Sequence, residues 1–259
     1  MGMTIIITMA GLGSRFRKAG YNCPKYMIEA KGRTLFDWSM DSLIGYNKNV
    51  SRYVFVVRKE DDAEAFIKEH CARYGIHDVK IVEINHMTDG QATTCMLAIP
   101  YCDPNDAIMV YNIDTYVEPG EMKYEDISGD GHIPCFHAEG DHWSFAKLDN
   151  AGKVIEVREK VRISDNCTLG AYYFSSAKLY KDLYQEYYVD DSHMEKNEKY
   201  IAPLYNYMIE KGMDVTISIV DADKVHVLGT PEELQNFIFK SAYYGQCYAV
   251  IAFVLPNII

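Results

Sequence analysis

The chain has 259 residues, of which 48% are hydrophobic and 24% are charged, and its formal net charge is −11. This composition is typical of a globular protein with a sizeable core, and the length fits one large α/β domain. Because a strongly negative protein repels phosphate backbones at long range, the charge argues against nucleic acid and anionic membranes as partners.

Cysteine usage and the two ends of the chain bear on where the protein works. The seven cysteines are odd in number and contain no C-x-x-C pair, so we expect reduced thiols in a cytoplasmic protein. The sequence does not open with a charged segment followed by a hydrophobic stretch, so secretion is not supported. Within residues 241–259 the apolar run is too short to cross a bilayer. We expect it to pack on the body or on the second subunit of a homodimer.

The first predicted element is a buried strand, Thr4 to Met9, and it leads into the turn Ala10-Gly11-Leu12-Gly13-Ser14. Glycines let the backbone turn with its N–H groups exposed, which suits an anion such as polyphosphate. Arg15 can bind two phosphate oxygens, and Lys25 supplies a point charge from a second segment. We therefore expect residues 10–14, the glycine loop, to bind the phosphates of a nucleotide.

Other glycine motifs make residue-level demands that this loop does not meet. A P-loop needs Lys-Ser or Lys-Thr after its second glycine. The dinucleotide fingerprint needs a third small residue where Phe16 stands. An ordinary strand-to-helix turn remains the alternative for a lone G-x-G.

The segment G-L-G-S-R-F, the following Pro24-Lys25 and then Thr34-Leu35-Phe36-Asp37 resemble the signature of the nucleotidyltransferase superfamily, which includes sugar-1-phosphate and phosphocholine-type enzymes. The resemblance covers about residues 4 to 240. It implies a three-layer α/β sandwich with a mainly parallel central sheet, the Rossmann-like, GT-A-like fold. It also implies that the glycine loop surrounds the triphosphate, while Arg15 and Lys25 stabilise phosphate charge as pyrophosphate leaves.

Apolar runs and helical patterns alternate along the first half of the chain. Strands are predicted at residues 53–58, 79–84 and 107–112, and helices at residues 34–44, 60–74 and 90–98. This alternation indicates βαβ units around a parallel sheet. Thr34 with Asp37 three residues later predicts a helix N-cap.

Shorter strands follow from residue 132 onward, at residues 132–137, 144–148, 154–157 and 168–174, with a hairpin turn at residues 149–152. Helices are predicted at residues 177–188 and 198–211, a strand at residues 215–220, and a last helix opened by Thr230-Pro231. We expect a single domain over residues 1–240. Residues 1–125 would bind the nucleotide and residues 126–240 the acceptor.

Asp114 follows the strand that ends at Asn112, which places its carboxylate at the carboxyl end of a predicted parallel strand. Ligands of open α/β sheets bind there, and Mg²⁺ takes one or two carboxylates together with phosphate oxygens. A loop or cap aspartate is the alternative. In the superfamily an aspartate in this place holds the catalytic metal. The resemblance thus implies Asp114 as a Mg²⁺ ligand, and we place Asn112 among the nucleotide-binding residues.

Gly90 and Gln91 follow another predicted strand and begin a helix. Gly90 allows close approach of the backbone, and Gln91 offers both a donor and an acceptor to the edge of a base. A capping loop without a ligand is the alternative. Members of the superfamily use a glycine and a glutamine here to recognise the pyrimidine, which implies that role for this pair.

The pair Glu159-Lys160 and the strand Gly170-Ala171-Tyr172-Tyr173-Phe174 resemble the E-K segment of the superfamily and the strand behind it. In relatives the lysine contacts the phosphates of the acceptor and of the nucleotide, so the resemblance implies Lys160 as a third catalytic cation. A solvated surface pair is the alternative.

The segment Leu228-Gly229-Thr230-Pro231-Glu232 resembles the G-T-P-E motif of the superfamily. Many relatives carry a second metal-binding aspartate two residues before its glycine, where this chain has Val227. Asp221 and Asp223 lie just upstream, and we choose Asp223 as the second metal ligand.

One rival cluster could ligate zinc in principle, because five residues with suitable side chains lie close in sequence: His132, Cys135, His137, Asp141 and His142. No established ligand spacing is matched. We therefore do not predict a zinc site.

The predicted reaction is nucleotidyl transfer. A phosphate monoester oxygen attacks the α-phosphorus of a nucleoside triphosphate in line, with Mg²⁺ on Asp114, while Arg15, Lys25 and Lys160 neutralise charge. The short chain and the altered G-T-P segment resemble small cytidylyltransferases of bacterial surface-polysaccharide decoration, which favours CTP. UTP and dTTP stay open, as do sugar-1-phosphates and metabolites such as phosphocholine or phosphoglutamine as acceptors.

Two alternatives come from other classes of protein. A glycosyltransferase of the GT-A type usually shows D-x-D, whereas this chain has Asn112-Ile113-Asp114. A catalytically silent sensor would bind nucleotide without turnover.

Overall fold

The computed structural model describes residues 2–239, and its centre is a ten-stranded β-sheet. In chain order the strands are β1 (Met3–Thr8), β2 (Glu29–Ala30), β3 (Arg33–Thr34), β4 (Val50–Arg58), β5 (Val79–Ile84), β6 (Ala107–Asn112), β7 (Thr115–Val117), β8 (Gly131–His137), β9 (Ser144–Leu148), β10 (Val154–Glu159), β11 (Asn166–Thr168), β12 (Ala171–Phe174), β13 (Val215–Ile219) and β14 (Val225–Val227). The helices are α1 (Ser14–Lys18), α2 (Leu35–Asp41), α3 (Glu64–Arg73), α4 (Gln91–Met96), α5 (Ala177–Tyr187), α6 (Ala202–Glu210) and α7 (residues 231–239).

The large sheet has the order β10-β9-β11-β8-β12-β6-β1-β4-β5, with β13 alongside β8. Strands β6, β1, β4 and β5 are mutually parallel, and the strands from β12 to β10 pair antiparallel. Thr8 at the end of β1 lies opposite Asn112 at the end of β6. The loops that follow these two strands are therefore neighbours at one edge of the sheet.

Successive strand residues point to opposite faces of the sheet, and apolar side chains lie on both faces. Helices therefore pack on both sides. Val54 and Val110 pack with residues of α4, α5 and α6 in one core cluster. Phe55 and Tyr111 pack with residues of α2 and α3 in the other. The three layers confirm the α/β fold class expected from the alternation of strand and helix patterns.

The predicted cap of α2 is formed as a reciprocal pair. The Asp37 backbone N–H donates to Thr34 Oγ1 at 3.2 Å, and the Thr34 backbone N–H donates to Asp37 Oδ2 at 3.3 Å. His70 of α3 also contacts Asp37 Oδ1, at 2.7 Å. The first turn of α2 is thereby tied to α3 on the same face of the sheet.

Three predicted elements have wrong boundaries, and the first is the helix predicted at residues 60–74, which begins only at Glu64 because Asp62 is left-handed, with a φ of 45°. The predicted strand 168–174 is two strands, because Gly170 turns with a φ of 73° and sits against the Asn112 side chain. The predicted helix 198–211 begins only at Ala202, because Lys196 and Asn197 both have positive φ and form a tight turn. Glu195 and Glu198 close that turn through backbone hydrogen bonds of 3.0 and 2.9 Å.

Several short elements were not predicted, among them α1 and the two-stranded pairs β2–β3 and β7–β14. The predicted apolar tail, residues 241–259, lies outside the described residues. Within residues 2–239 no helix is both long and apolar enough to cross a membrane.

Candidate active site

Two adjoining cavities, of about 560 and 970 Å³, open at the carboxyl ends of β1 and β6. Six residues line both of them, and all six are residues that the sequence singles out: Gly13, Arg15, Lys25, Gln91, Asn112 and Asp114. The cavities therefore meet at the groups predicted to act on phosphates.

The glycine loop forms one wall of the smaller cavity. Gly13 adopts a left-handed φ of 60° and directly precedes α1, which carries Arg15 on its first turn. A side chain at Gly11 would meet no atom within 4 Å, so the space over the loop is open to a ligand. Arg15 is exposed, and within residues 2–239 no carboxylate forms an ion pair with it. Its guanidinium is free to bind an anion.

The remaining loop residues divide between neighbouring surfaces. Ala10 lines the smaller cavity, and Ser14 lines the larger one. Leu12 lines neither, but borders an adjacent pocket of about 330 Å³ together with Met87. Arg17 Nε donates to the Leu12 carbonyl at 3.0 Å, which ties the loop to α1.

Lys25 and Asp114 form an ion pair in the shared wall of the two cavities. Lys25 follows Pro24 in a short 3₁₀ turn, and its Nζ lies 2.8 Å from Asp114 Oδ2. The side chains are 21% and 32% exposed, so both partners of this partly buried pair can still be reached from the cavities. Lys25 is therefore available to a triphosphate and Asp114 to a metal ion.

Gly90 and Gln91, the residues predicted to recognise the base, line the smaller cavity. Gly90 has a φ of 145°, and a Cβ there would lie 2.4 Å from the Lys199 carbonyl oxygen, so only glycine fits. Gln91 Nε2 donates to Thr8 Oγ1 at 3.1 Å and also to Asn112 Oδ1. The ends of β1 and β6 thus fix the orientation of the Gln91 amide in the cavity.

The turn at residues 195–200 contributes cavity residues that sequence reasoning missed, namely Asn197 and Glu198. Lys199 anchors the turn, since its backbone N–H donates to the Asp89 carbonyl at 2.7 Å and its Nζ pairs with the Asp89 carboxylate at 2.8 Å. Asn197 could have indicated this turn from the sequence, because asparagine is favoured in two-residue hairpin turns. The helical pattern from residue 198 onward concealed it.

Lys160 reaches the larger cavity from the end of β10. Its backbone has a φ of 54°, and its N–H donates to the Trp143 carbonyl at 2.8 Å. Nζ donates to the Tyr200 hydroxyl at 2.9 Å and lies 3.4 Å from Glu159 Oε1. Burial alone lowers the pKa of Lys160, but the Tyr200 hydrogen bond and the Glu159 charge raise it above its usual value. The Lys160 ammonium group is therefore positioned by Tyr200 and Glu159, unlike that of a solvated surface lysine.

Aromatic and polar side chains share the rest of the larger cavity. The Tyr172 hydroxyl is buried, 3.2 Å from Thr168 Oγ1 and 3.4 Å from Ser144 Oγ, and Ser144 also donates to Glu159. Trp143 lies beside them. Such a lining suits a small polar molecule with one apolar face.

Asp223 is not brought to the cavities. It lies in a single turn before β14, where its backbone N–H donates to Asp221 Oδ1 at 3.1 Å. β14 runs antiparallel to β7, with Val227 opposite Thr115 and Val225 at the other end. Asp223 is therefore at the end of this pair that is distant from Asp114. The described residues of this region that line the larger cavity are Val227, Gly229, Thr230, Glu232, Glu233 and Asn236.

The rival zinc cluster is not assembled. His132 is buried against Thr216 Oγ1 and Ser218 Oγ, at 2.8 and 3.0 Å, and burial lowers its pKa to about 4. Cys135 is also buried. Within residues 2–239 no group of three or more His, Cys, Asp or Glu side chains is arranged to hold a metal ion on its own.

Comparison with solved structures places the chain among known folds. It matches the crystal structure of a nucleoside-diphosphate-sugar pyrophosphorylase from Vibrio cholerae with a TM-score of 0.83 and 38% sequence identity. The match covers 90% of this chain and 99% of the Vibrio chain. The chain belongs to this nucleotidyltransferase family. The predicted superfamily is thereby confirmed, and the protein is an enzyme of the nucleotidyltransferase type.

More distant structures share the fold. An inositol-1-phosphate CTP transferase from T. maritima matches with a TM-score of 0.69 at 16% identity, over 89% of this chain and 90% of its own. A protein assigned as a glucose-1-phosphate thymidylyltransferase from Bacillus anthracis matches with a TM-score of 0.74 at 16% identity, over 92% and 94% of the two chains. No family model and no curated protein matches the sequence.

Proposed function

We propose that the enzyme transfers a cytidylyl group from CTP to a phosphate monoester, with release of pyrophosphate. The observation that carries this proposal is the meeting of the two cavities at Arg15, Lys25 and Asp114. The nucleotide would occupy the smaller cavity, with its phosphates over the glycine loop. The acceptor would occupy the larger cavity, with its phosphate toward Lys160.

The geometry supports a direct displacement at the α-phosphorus. Arg15 and Lys25 would hold the triphosphate from two segments, and Lys160 would hold the acceptor phosphate on the opposite side of the shared wall. The acceptor phosphate is already ionised at neutral pH, so neither a protein nucleophile nor a general base is required. The work of the side chains is to position the reactants and stabilise charge.

A Mg²⁺ ion fits the donors present, because Asp114 offers a partly exposed carboxylate where triphosphate oxygens would lie. When bound, the ion would neutralise charge on the triphosphate. Asp114 would hold it once Lys25 has moved to the phosphates.

The preference for CTP rests on the altered G-T-P segment, with Val227 two residues before Gly229, and on its likeness to small cytidylyltransferases of surface-polysaccharide decoration. UTP and dTTP are the competing donors, and a sugar-1-phosphate or a small phosphorylated metabolite is the acceptor class. A GT-A glycosyltransferase or a silent nucleotide sensor is not favoured. The Vibrio relative is described as a pyrophosphorylase, and Arg15, Lys25 and Asp114 are intact.

The test is a panel of CTP, UTP, dTTP and GTP against a library of phosphate monoesters, with pyrophosphate detection. We expect pyrophosphate only when CTP and a suitable monoester are both present. If pyrophosphate appears with another triphosphate instead, that triphosphate is the donor and not CTP. Nucleoside diphosphate release from a nucleotide sugar, without pyrophosphate from any triphosphate, would overturn the reaction.

A further inference from the structure

The chain has Val227 where many relatives have a second metal-binding aspartate, and Asp223 does not reach the cavities. We propose that Glu233 supplies the second carboxylate of the divalent-cation site, facing Asp114. This inference rests on the proposed function, because it concerns the cation that would accompany the nucleotide.

The two carboxylates face a common point at Gly229. A Cβ at this residue would lie 3.2 Å from Asp114 Oδ2 and 3.4 Å from Glu233 Oε2. The backbone holds the arrangement, since the Leu228 N–H donates to the Asp114 carbonyl at 2.8 Å. The Glu233 N–H donates to Thr230 Oγ1 at 3.2 Å, which fixes Glu233 in the first turn of α7. Two carboxylate oxygens from separate segments therefore border one small space that opens into the larger cavity.

Glu233 Oε2 is an orphaned acceptor. It is buried from solvent and has no hydrogen-bond partner within residues 2–239. Buried carboxylate oxygens are ordinarily satisfied, because an unpaired one loses its hydration without compensation. The positive end of α7 offsets only part of that loss. A cation between Glu233 and Asp114 would supply the missing partner.

The donor set matches Mg²⁺ more closely than a metal held by protein alone. Mg²⁺ usually takes one or two carboxylates and completes its shell with water and substrate phosphate oxygens. Asp114 and Glu233 provide two carboxylates beside Arg15 and Lys25, which are placed for phosphates. Lys25 Nζ contacts Asp114 Oδ2, so Lys25 would have to turn to the phosphates for Asp114 to hold a cation.

The experiment measures Mn²⁺ binding to the whole protein by electron paramagnetic resonance, first with Mn²⁺ alone and then with CTP present. Glu233→Gln keeps the shape of the side chain and removes its charge. We expect it to weaken Mn²⁺ binding about 10- to 100-fold. Glu210→Gln removes the same charge from an exposed residue of α6 that lines neither cavity and is the control, with wild-type Mn²⁺ binding expected.

Two further variants separate ligation from a general loss of charge. Val227→Asp in the Glu233→Gln background restores the aspartate that relatives carry, and we expect it to recover most of the lost affinity. Gly229→Ala adds a methyl group within 3.4 Å of both oxygens without changing charge, and we expect it to weaken Mn²⁺ binding as well. Circular dichroism and the thermal midpoint confirm that each variant is folded.

Wild-type Mn²⁺ affinity in folded Glu233→Gln would overturn the inference, and so would a loss in Asp223→Asn of the size expected for Glu233→Gln. Either result leaves the proposed function standing if the wild-type enzyme still releases pyrophosphate from CTP. Failure of the proposed function is a separate outcome, since it is the absence of pyrophosphate with every triphosphate of the panel.

Discussion

The two cavities are built differently, although they share one wall. The smaller cavity is formed mainly by loops after parallel strands, where Gly11 leaves open space and Gly90 lets the Lys199 backbone approach closely. The larger cavity is formed by side chains from separated segments, among them Trp143, Lys160 and Tyr200. Polyphosphate is recognised by backbone geometry and positive charge, which constrain the sequence over a short stretch. An acceptor is recognised by shape and side-chain chemistry, which leave no such local signature.

Lys25→Ala tests whether the cation in the wall shared by the two cavities takes part in the reaction. It has the largest expected effect. Loss of a charge-stabilising donor should lower kcat/KM about 10²- to 10³-fold. The measurement is steady-state pyrophosphate release at saturating acceptor. Lys18→Ala is the control, because Lys18 is an exposed lysine of α1 that lines neither cavity. If folded Lys25→Ala kept wild-type turnover, Lys25 would not stabilise charge on the reacting phosphates.

The same contrast explains how much of the site could be predicted. The glycine loop, Lys25 and Asp114 lie at fixed spacing beside predicted strands, and the structure brings them together. Glu233 could not be chosen from the sequence. Its place depends on the pairing of β14 with β7, and neither short strand has enough residues to show a period.

Fold prediction failed for a related reason, at residues whose backbone conformation overrides the side-chain pattern. The apolar residues around Gly170 read as one strand, but the close approach of Asn112 forces a turn there. The pattern from residue 198 onward reads as helix, but Lys196 and Asn197 turn the chain back toward Gly90. Long parallel strands such as β4 and β6 were predicted well because burial on both faces leaves a continuous apolar run.

Gly11→Ala sharpens the comparison from the nucleotide side, with an intermediate effect. A methyl group at Gly11 meets no protein atom within 4 Å, so the fold should keep its thermal midpoint while the ligand loses space. We expect the KM for the triphosphate to rise about tenfold, equivalent to about 1.4 kcal/mol. The KM for the acceptor should hardly change.

Gly90→Ala is the counterpart that should behave in the opposite way. Its methyl group would overlap the Lys199 backbone, so we expect a lower thermal midpoint together with weaker nucleotide binding. Equal stability losses in the two alanine variants would mean that the space over the glycine loop is not reserved for a ligand.

Tyr200→Phe probes the acceptor side and carries the smallest effect. It removes the hydroxyl that accepts from Lys160, a hydrogen bond worth about 1 kcal/mol, so the KM for the acceptor should rise about fivefold. Because that hydroxyl helps to raise the pKa of Lys160, its loss should lower this pKa and move the alkaline rise in acceptor KM to lower pH. Tyr207→Phe is the matched control, since its hydroxyl bonds to Glu186 outside both cavities. If Tyr200→Phe raised only the KM for the triphosphate, Tyr200 would belong to the nucleotide site. The assignment of the larger cavity to the acceptor would then be wrong.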